Sequence, residues 1–306
     1  MNAPSTRAGF AAIVGAPNVG KSTLVNAMVG SKVSIVSPKV QTTRMRVIGI
    51  AMVDLPDGAR GQVVLVDTPG IFRIAKRRLE RSMVAAAWQG AGDADIVALV
   101  VDAERGVGPE TEAILMRLKE LRAPRFLILN KIDLVAREKL LALAAELNAR
   151  LAFDQTFMVS ALRQDGVADI LAALAMALPR GPFLYPEDQA ADLPMRLLAA
   201  EVTREQVFLQ LHQELPYEAA VETDKWEDRP DGSTRIEQTI HVQRDGQRAI
   251  VLGKGGTRIK QIGARARHEL GQILERPVHL FLHVKVSERW ADDPAHYRSI
   301  GLDYET

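Results

Sequence analysis

The sequence predicts a doubly wound, mostly parallel α/β sheet over residues 1–180 and a second, smaller α+β domain over residues 194–306. Three observations carry this. Short apolar runs alternate with helix-patterned stretches from residue 10 to about 180, which is the signature of strands connected by crossover helices. The run Phe10–Val14 leads straight into Gly15-Ala16-Pro17-Asn18-Val19-Gly20-Lys21-Ser22, followed by a helix-like segment from Thr23. Two proline-rich turns, Pro179–Pro182 and Tyr185–Asp188, then interrupt the alternation, so residues 181–193 read as a linker.

The chain has 306 residues, enough for two cores. With no cysteine there is no disulfide, thiolate metal site or cysteine nucleophile. Residues 1–9 are short and polar and lack a signal-peptide core. The longest apolar runs, such as Ile96–Val101, are too short to span a bilayer, so any membrane contact is expected to be peripheral. A net charge of +1 conceals an uneven distribution. From Arg244 to Arg276 eight Lys/Arg stand against Asp245, Glu269 and Glu275, a local +5. Such a patch suits a polyanion.

In the first domain the expected buried strands are Phe10–Val14, Val63–Val66, Ile96–Val101, Arg125–Leu129 and Thr156–Val159, with an edge strand near Val47–Val53. Helices are expected near Ser22–Val29, Arg77–Gln89, Pro109–Leu121, Ala136–Arg150 and Val167–Leu178. Ligands of such sheets bind at the carboxyl ends of the strands, and the motifs fall there. In the first loop, glycine backbone and a helix N-terminus make an anion cradle. Lys21 would reach β- and γ-phosphates and the Ser22 hydroxyl would ligate Mg²⁺; Thr23 continues the cradle. Asp67-Thr68-Pro69-Gly70 follows a strand, so Asp67 can hold Mg²⁺ through water and the Gly70 N–H can sense a γ-phosphate. A carboxylate at Asp133 of Asn130-Lys131-Ile132-Asp133 can accept the paired N–H donors of guanine, which adenine lacks. The Lys131 stem would lie over the base and Asn130 would brace neighbouring loops. Backbone N–H groups of Ser160-Ala161-Leu162 could read the guanine carbonyl. In Gln41-Thr42-Thr43-Arg44 one threonine would complete Mg²⁺ coordination, with Thr43 preferred over Thr42.

The ordered set GAPNVGKS, QTTR, DTPG, NKID and SAL resembles the five guanine-nucleotide motifs of translation-factor-type GTPases. The resemblance implies a P-loop GTPase domain that binds GTP/GDP with Mg²⁺ and has two switch loops, with Lys21 and Thr43 as the catalytic groups. Ile71 replaces the glutamine that orients water in many relatives, so no general base is assigned and slow intrinsic turnover is expected. Asn18 occupies the position that coordinates K⁺ in some relatives, which makes potassium stimulation an expectation.

In the second domain an amphipathic helix is expected over Pro194–Leu215, with Arg196, Glu201, Arg204 and Glu205 off its apolar stripe. Strands Tyr217–Trp226 and Ser233–Gln243 should follow, then a helix Thr257–Leu274 and a strand Val278–Val286. Gly253-Lys254-Gly255-Gly256 fits the Gly-x-x-Gly loop of KH domains, which lets a nucleic-acid backbone approach closely. Lys254, Arg258 and Lys260 would add charge to that clamp. Propensity alone makes Arg248–Leu252 a strand; the KH resemblance makes it a short helix, and the element order is similar to the type II variety. His279 and His283 share a strand face at a spacing unsuited to a metal and are expected at the surface. A short helix is expected in the tail from Ser287. The basic stretch Lys76, Arg77, Arg78 and Arg81 either touches the second domain or RNA, or is a solvated helix start.

A GTPase domain followed by a type II KH domain over nearly the whole chain is similar to the Era-type GTPases. That resemblance implies binding to 16S ribosomal RNA near its 3′ end and to the small ribosomal subunit precursor during its maturation. It also implies a cytoplasmic protein with some peripheral association at the inner membrane; a monomer is expected. The alternatives are a GTPase that docks a protein or membrane partner through a KH-like fold, and an RNA-binding module in which the nucleotide is only structural.

Overall fold

The computed structural model describes residues 6–39, 41–72, 75, 77–211, 215–287, 290, 293–300 and 302–304. By packing the chain forms two units. One comprises Met1–Ser34, Thr43–Asp192 and Gly301–Thr306, the other Ile35–Thr42 and Leu193–Ile300.

The first unit contains strands β1 (Thr6–Val14), β2 (Val47–Asp54), β3 (Arg60–Asp67), β4 (Ile96–Asp102), β5 (Arg125–Asn130) and β6 (Gln155–Val159). Its helices are α1 (Lys21–Val29), α2 (Arg78–Gly92), α3 (Pro109–Leu118), α4 (Arg137–Arg150) and α5 (Val167–Ala177). The sheet order is β2-β3-β1-β4-β5-β6, with only β2 antiparallel to its neighbour. Alternate residues of β1 and β4 feed two cores. Ala11, Ile13, Ala98 and Val100 pack with Leu24 and Val25 of α1 and Ile170 and Leu174 of α5. Ala12, Val14, Leu99 and Val101 pack with Ala87 of α2, Ile114 of α3 and Leu147 of α4. Burial on both faces explains why these strands read as unbroken apolar runs. Each fully buried Leu or Ile contributes about 1.5–3 kcal/mol. Helix α3 starts where expected because Gly108 caps it, Pro109 fits the first helical position, and Glu110 and Glu112 face the helix dipole.

Residues 181–192, most of the expected linker, are built into this unit. Gly181 N–H donates to Thr6 O at 3.0 Å, Ile50 N–H to Ala190 O at 2.8 Å and Asp192 N–H to Ile48 O at 3.1 Å. The buried Gln62 side chain accepts from Leu184 N–H and Tyr185 N–H at 2.7 and 3.0 Å, and donates to Tyr185 O at 2.8 Å.

The second unit contains α6 (Met195–Gln210), β7 (Ala220–Asp228), β8 (Thr234–Val242), α7 (Asp245–Leu252), α8 (Thr257–Ile273), β9 (Val278–Val286) and α9 (Pro294–Ser299). The sheet order is β7-β8-β9, with β7/β8 antiparallel and β8/β9 parallel. Ala200 and Val207 of α6, Ile240 and Val242 of β8, Val251 of α7 and Ile262 of α8 share one core. Leu198, Val202, Ile236, Leu270 and Val278 share another.

Two expectations for this unit are corrected. Helix α6 ends at Gln210, not Leu215, because Leu211 is extended. The terminal carbonyls of Phe208 and Leu211 accept from Lys39 Nζ instead of from a further turn. Tyr217 lies in a 3₁₀ turn, Leu215–Glu218, so β7 begins only at Ala220. Of the polar residues off the apolar stripe of α6, Arg196 is exposed while Glu201, Arg204 and Glu205 are buried. The segment 245–252 is helical, as the KH resemblance required and propensity did not.

Candidate nucleotide and nucleic-acid sites

The first four motifs meet at the carboxyl ends of β1, β3 and β5 and at the loop before β2. Gly15 must be glycine because a Cβ there would lie 2.5 Å from Val100 O of β4. Asn18 and Gly20 adopt left-handed backbone, at φ 63° and 94°, which turns successive N–H groups towards one concavity. Ala16, Pro17 and Val19 complete the loop, and Thr23 lies in the first turn of α1. A Cβ on Gly70 would come 3.0 Å from Pro17 Cα, and Ile71 N–H donates to Gly15 O at 3.2 Å. Thr68 Oγ1 donates to Ile13 O at 2.7 Å, so the Asp67-Thr68-Pro69-Gly70 turn is fixed against the first loop.

Lys21 Nζ is buried and donates to Gly15 O at 3.1 Å and Ala16 O at 3.0 Å. Burial lowers its pKa to about 8, with the Asp67 charge opposing. The same burial raises the Asp67 carboxyl, against Lys21, Ser22 and Ser34. Asp67 Oδ2 accepts from Ser22 Oγ and Ser34 Oγ, each at 2.7 Å. Ser22 Oγ and Thr43 Oγ1 are 2.8 Å apart. Asp67 Oδ1 is buried with no hydrogen-bond partner, a costly state for a lone acceptor. One orphaned carboxylate oxygen beside two hydroxyls is a hard oxygen set that fits Mg²⁺. The two threonines make different contacts. Thr42 Oγ1 is 2.5 Å from Ser37 Oγ and donates to Lys39 O at 2.6 Å, whereas Thr43 faces Ser22.

Asn130 braces the first loop against the loop after β6. Its Nδ2 donates to Val19 O at 2.9 Å, and its Oδ1 accepts from Ala161 N–H at 3.0 Å. Lys131, left-handed at φ 65°, donates to Asn18 O at 2.9 Å and pairs with Asp102 at 2.6 Å. Asp133 is held below the usual carboxylate range, chiefly by a hydrogen bond from Ser160, with help from its own backbone, Arg163 and Lys131 and against desolvation. Arg163 Nε lies 3.7 Å from Asp133 Oδ2. Leu162 is exposed, leaving the backbone of residues 160–162 as the available polar surface. Ile71 belongs to the α2–α4 core, so it cannot orient water.

Three contributors escaped sequence reasoning. Asp102, which fixes Lys131, ends an apolar strand and was detectable by the same carboxyl-end rule. Ser34 carried no motif. Asn26 of α1 holds it, accepting from Val33 and Ser34 N–H at 3.0 and 2.9 Å and donating to Ser34 O at 2.7 Å.

In the second unit, α7 and α8 flank Gly253-Lys254-Gly255-Gly256. Gly253 (φ 69°) has no room for a side chain, since a Cβ would lie 2.8 Å from Arg258 Cβ. Gly255 and Gly256 are also left-handed, at φ 60° and 75°, but face open space. Thr257 Oγ1 donates to Lys254 O at 3.0 Å and Arg258 to Ile250 O at 3.0 Å, tying the loop to both helices. Lys254, Lys260, Arg265 and Arg267 are each exposed. His279 and His283 are exposed on one face of β9, and among the described residues no His/Asp/Glu cluster could hold a metal. Of the basic stretch after the third motif, Lys76 lies outside the described residues. Arg78 stacks 4.3 Å over Tyr304.

A glycine loop opening a helix, with Asp67-Thr68-Pro69-Gly70 and Asn130-Lys131-Ile132-Asp133 at neighbouring strand ends, followed along the chain by a helix–Gly-x-x-Gly–helix unit, defines a GTPase that carries a KH domain. The comparisons agree: a family described as a 50S ribosome-binding GTPase matches residues 10–131, and the KH domain family matches residues 214–291. The chain belongs to the Era family of GTPases. GTPase Era of Afipia carboxidovorans is 60% identical over 299 residues, covering 98% of this chain and 95% of that protein. GTPase Era of Bradyrhizobium diazoefficiens is 58% identical over 300 residues, 98% and 96% of the two chains. Among solved structures, a point variant of Aquifex aeolicus Era bound to GDP and AlF4⁻ is 39% identical, with TM-score 0.90 over 96% of this chain and 99% of that one. A complex of Era with MgGDPNP and nucleotides 1506–1542 of 16S ribosomal RNA is 39% identical, with TM-score 0.90 over 97% and 99%. The fold and the hydrolysis of GTP are therefore those of this family.

Proposed function

We propose that the chain is a nucleotide-timed RNA switch that binds Mg²⁺ and GTP, holds 16S ribosomal RNA near its 3′ end, and acts in assembly of the small ribosomal subunit. The observation that carries this is the pairing, in one chain, of the Ser22–Thr43–Asp67 cluster with the glycine loop 253–256. The relative solved with MgGDPNP and 16S nucleotides supports both halves.

In this reading Lys21 leaves the Gly15 and Ala16 carbonyls for β- and γ-phosphate oxygens, whose negative charge favours its ammonium form. Mg²⁺, when bound, neutralises charge that develops as the γ-phosphoryl group transfers. Ser22, Thr43 and Asp67 are the residues that would hold it. The N–H groups of residues 15–22 cradle the phosphates, Gly70 senses the γ-phosphate, and Asp133 with residues 160–162 selects guanine. Water adds to the γ-phosphorus as the bond to the bridging oxygen breaks, leaving GDP and phosphate. No side chain acts as general base, and slow turnover follows. Lys254, Arg258 and Lys260 with the three glycines bind the RNA backbone. We also place the protein in the cytoplasm as a monomer, with peripheral contact at the inner membrane and K⁺ stimulation through Asn18; no described helix is long and apolar enough to cross a membrane.

Crosslinking and sequencing of bound RNA with GTP and with GDP tests the reading. Reads concentrated at the 16S 3′ end and altered by the nucleotide support it. Labelling that survives unchanged in Lys254→Asp/Gly255→Asp would favour the protein- or membrane-docking alternative.

A further inference from the structure

Ser34 lies outside every motif of the nucleotide site, yet its hydroxyl reaches a carboxylate at the centre of it. Asp67 is 0% exposed. Its Oδ2 accepts from Ser34 Oγ and from Ser22 Oγ, each at 2.7 Å, whereas its Oδ1 has no hydrogen-bond partner. A bare carboxylate oxygen at such depth is costly unless a cation or its water reaches it. The two oxygens are thus divided: two hydroxyls hold one, and the other stays open. Of those hydroxyls, Ser22 is itself among the groups that would hold Mg²⁺. Ser34 is not.

The seat of Ser34 is built by α1. Asn26 Oδ1 accepts from Val33 N–H at 3.0 Å and from Ser34 N–H at 2.9 Å, and its Nδ2 donates to Ser34 O at 2.7 Å. Among side chains of this length only an amide offers an acceptor and a donor together. Ser22 and Asn26 stand one turn apart on α1 and so share a face. One helix therefore sets both donors to Asp67 Oδ2, Ser22 directly and Ser34 through Asn26. Every residue in this chain of contacts belongs to the first unit. We infer that Ser34, seated by Asn26, is a positioning residue for Mg²⁺-dependent nucleotide binding and hydrolysis: by holding Asp67 Oδ2 it keeps Oδ1 as the oxygen available to the metal shell. Without that bond the carboxylate turns more freely, because the terminal torsion of an aspartate has broad preferences. Outer-shell hydrogen bonds of this kind are typically worth about 10- to 100-fold in metal affinity.

The inference rests on the proposed metal role of Asp67, so Asp67→Asn is measured alongside. Ser34→Ala deletes the hydroxyl and spares the bonds of Asn26, which go to backbone. Ser34→Cys keeps a side chain of similar size and offers only a weak donor. Release of a fluorescent non-hydrolysable GTP analogue is followed against Mg²⁺ concentration, with EDTA as the metal-free point. The melting temperature without metal and kcat for GTP are read on the same proteins. In both Ser34 variants the Mg²⁺ concentration for half-maximal slowing of release should rise about tenfold, while release in EDTA changes by less than about twofold. Their kcat should fall at limiting Mg²⁺ and recover in excess. An unmoved half-point in Ser34→Ala overturns the proposal. So does equal quickening of release with and without Mg²⁺ at a lowered melting temperature, the mark of a merely structural role. A shift in Ser34→Ala that Ser34→Cys does not share assigns the effect to lost packing and overturns it too. If Asp67→Asn moves the half-point and the Ser34 variants do not, the proposal alone fails. If Asp67→Asn does not move it, the metal assignment of Asp67 fails and takes the proposal with it.

Discussion

The amide of Asn130 occupies the space that a side chain on Gly20 would need: a Cβ there would lie 2.3 Å from Asn130 Nδ2. That amide is already committed to Val19 O and Ala161 N–H, so it cannot yield without loosening two nucleotide loops. Gly20→Ala also meets a left-handed φ of 94°. GTP and GDP affinities should both fall about 100-fold, equivalent to about 2.7 kcal/mol. Titration with a fluorescent guanine nucleotide checks this, and a loss below fivefold contradicts it.

Asp133 should govern the acid limb of nucleotide binding. Its carboxyl is depressed by the Ser160 hydrogen bond first, with Arg163 and Lys131 adding. A depressed carboxylate keeps its charge above its lowered pKa and loses it as pH falls through that value. Affinity for GDP should therefore stay level from neutral pH down towards about 4, where an ordinary aspartate is half protonated. Ser160→Ala should move the decline to higher pH. Binding measured by calorimetry at stepped pH reads the shift, and an unmoved limb would sink the assignment.

Installing the glutamine that many relatives carry after the third motif should not create a catalyst here. Ile71 is 3% exposed in the α2–α4 core. Ile71→Gln buries an amide without a designed partner, at about 1–3 kcal/mol. The first unit should melt lower by several degrees, and hydrolysis should not quicken. A faster variant of normal stability is the contrary outcome.

The two kinds of glycine in the second unit should respond differently. Gly253→Ala collides with Arg258 and should disturb the turn itself, lowering the melting temperature. Gly255 faces open space, so Gly255→Asp costs about 1–2 kcal/mol of backbone strain and places a negative charge on the nucleic-acid side. Paired with Lys254→Asp, it should weaken RNA binding at least tenfold and reduce the slope of log affinity against log salt by about one. Basal GTP hydrolysis should be unchanged.

What the sequence made legible was what its local pattern encodes. Strands buried on both faces appear as apolar runs, and Gly15, Gly20, Lys21, Ser22, Asp67 and Asp133 sit at strand ends where phosphate and base chemistry must be placed. What stayed hidden depends on distant partners. Glu201, Arg204 and Glu205 look like the solvated side of an amphipathic helix, because periodicity registers polarity and not the backbone of residues 35–42 that covers it. Ser34 depends on Asn26 and Asp67, 8 and 33 positions away. The end of α6 was misplaced because apolar spacing continued to Leu215 after Lys39 had capped the last turn. Asp102 is the exception. It stood in plain view after Val101 and lacked only a motif to draw notice.

The segment 181–192 also has a preparative consequence. Strand β2 is the antiparallel margin of the first sheet, and its outward N–H and C=O groups at Ile48 and Ile50 are met by Asp192 and Ala190. A bare strand margin is a template for pairing with another molecule. Cutting the chain after Arg180 to isolate the catalytic half would strip that cover and leave β2 open to self-association on storage, while a cut after Asp192 would keep the margin sheathed. The proline-rich run that looks dispensable is a selvedge, and anyone trimming this protein should leave it on.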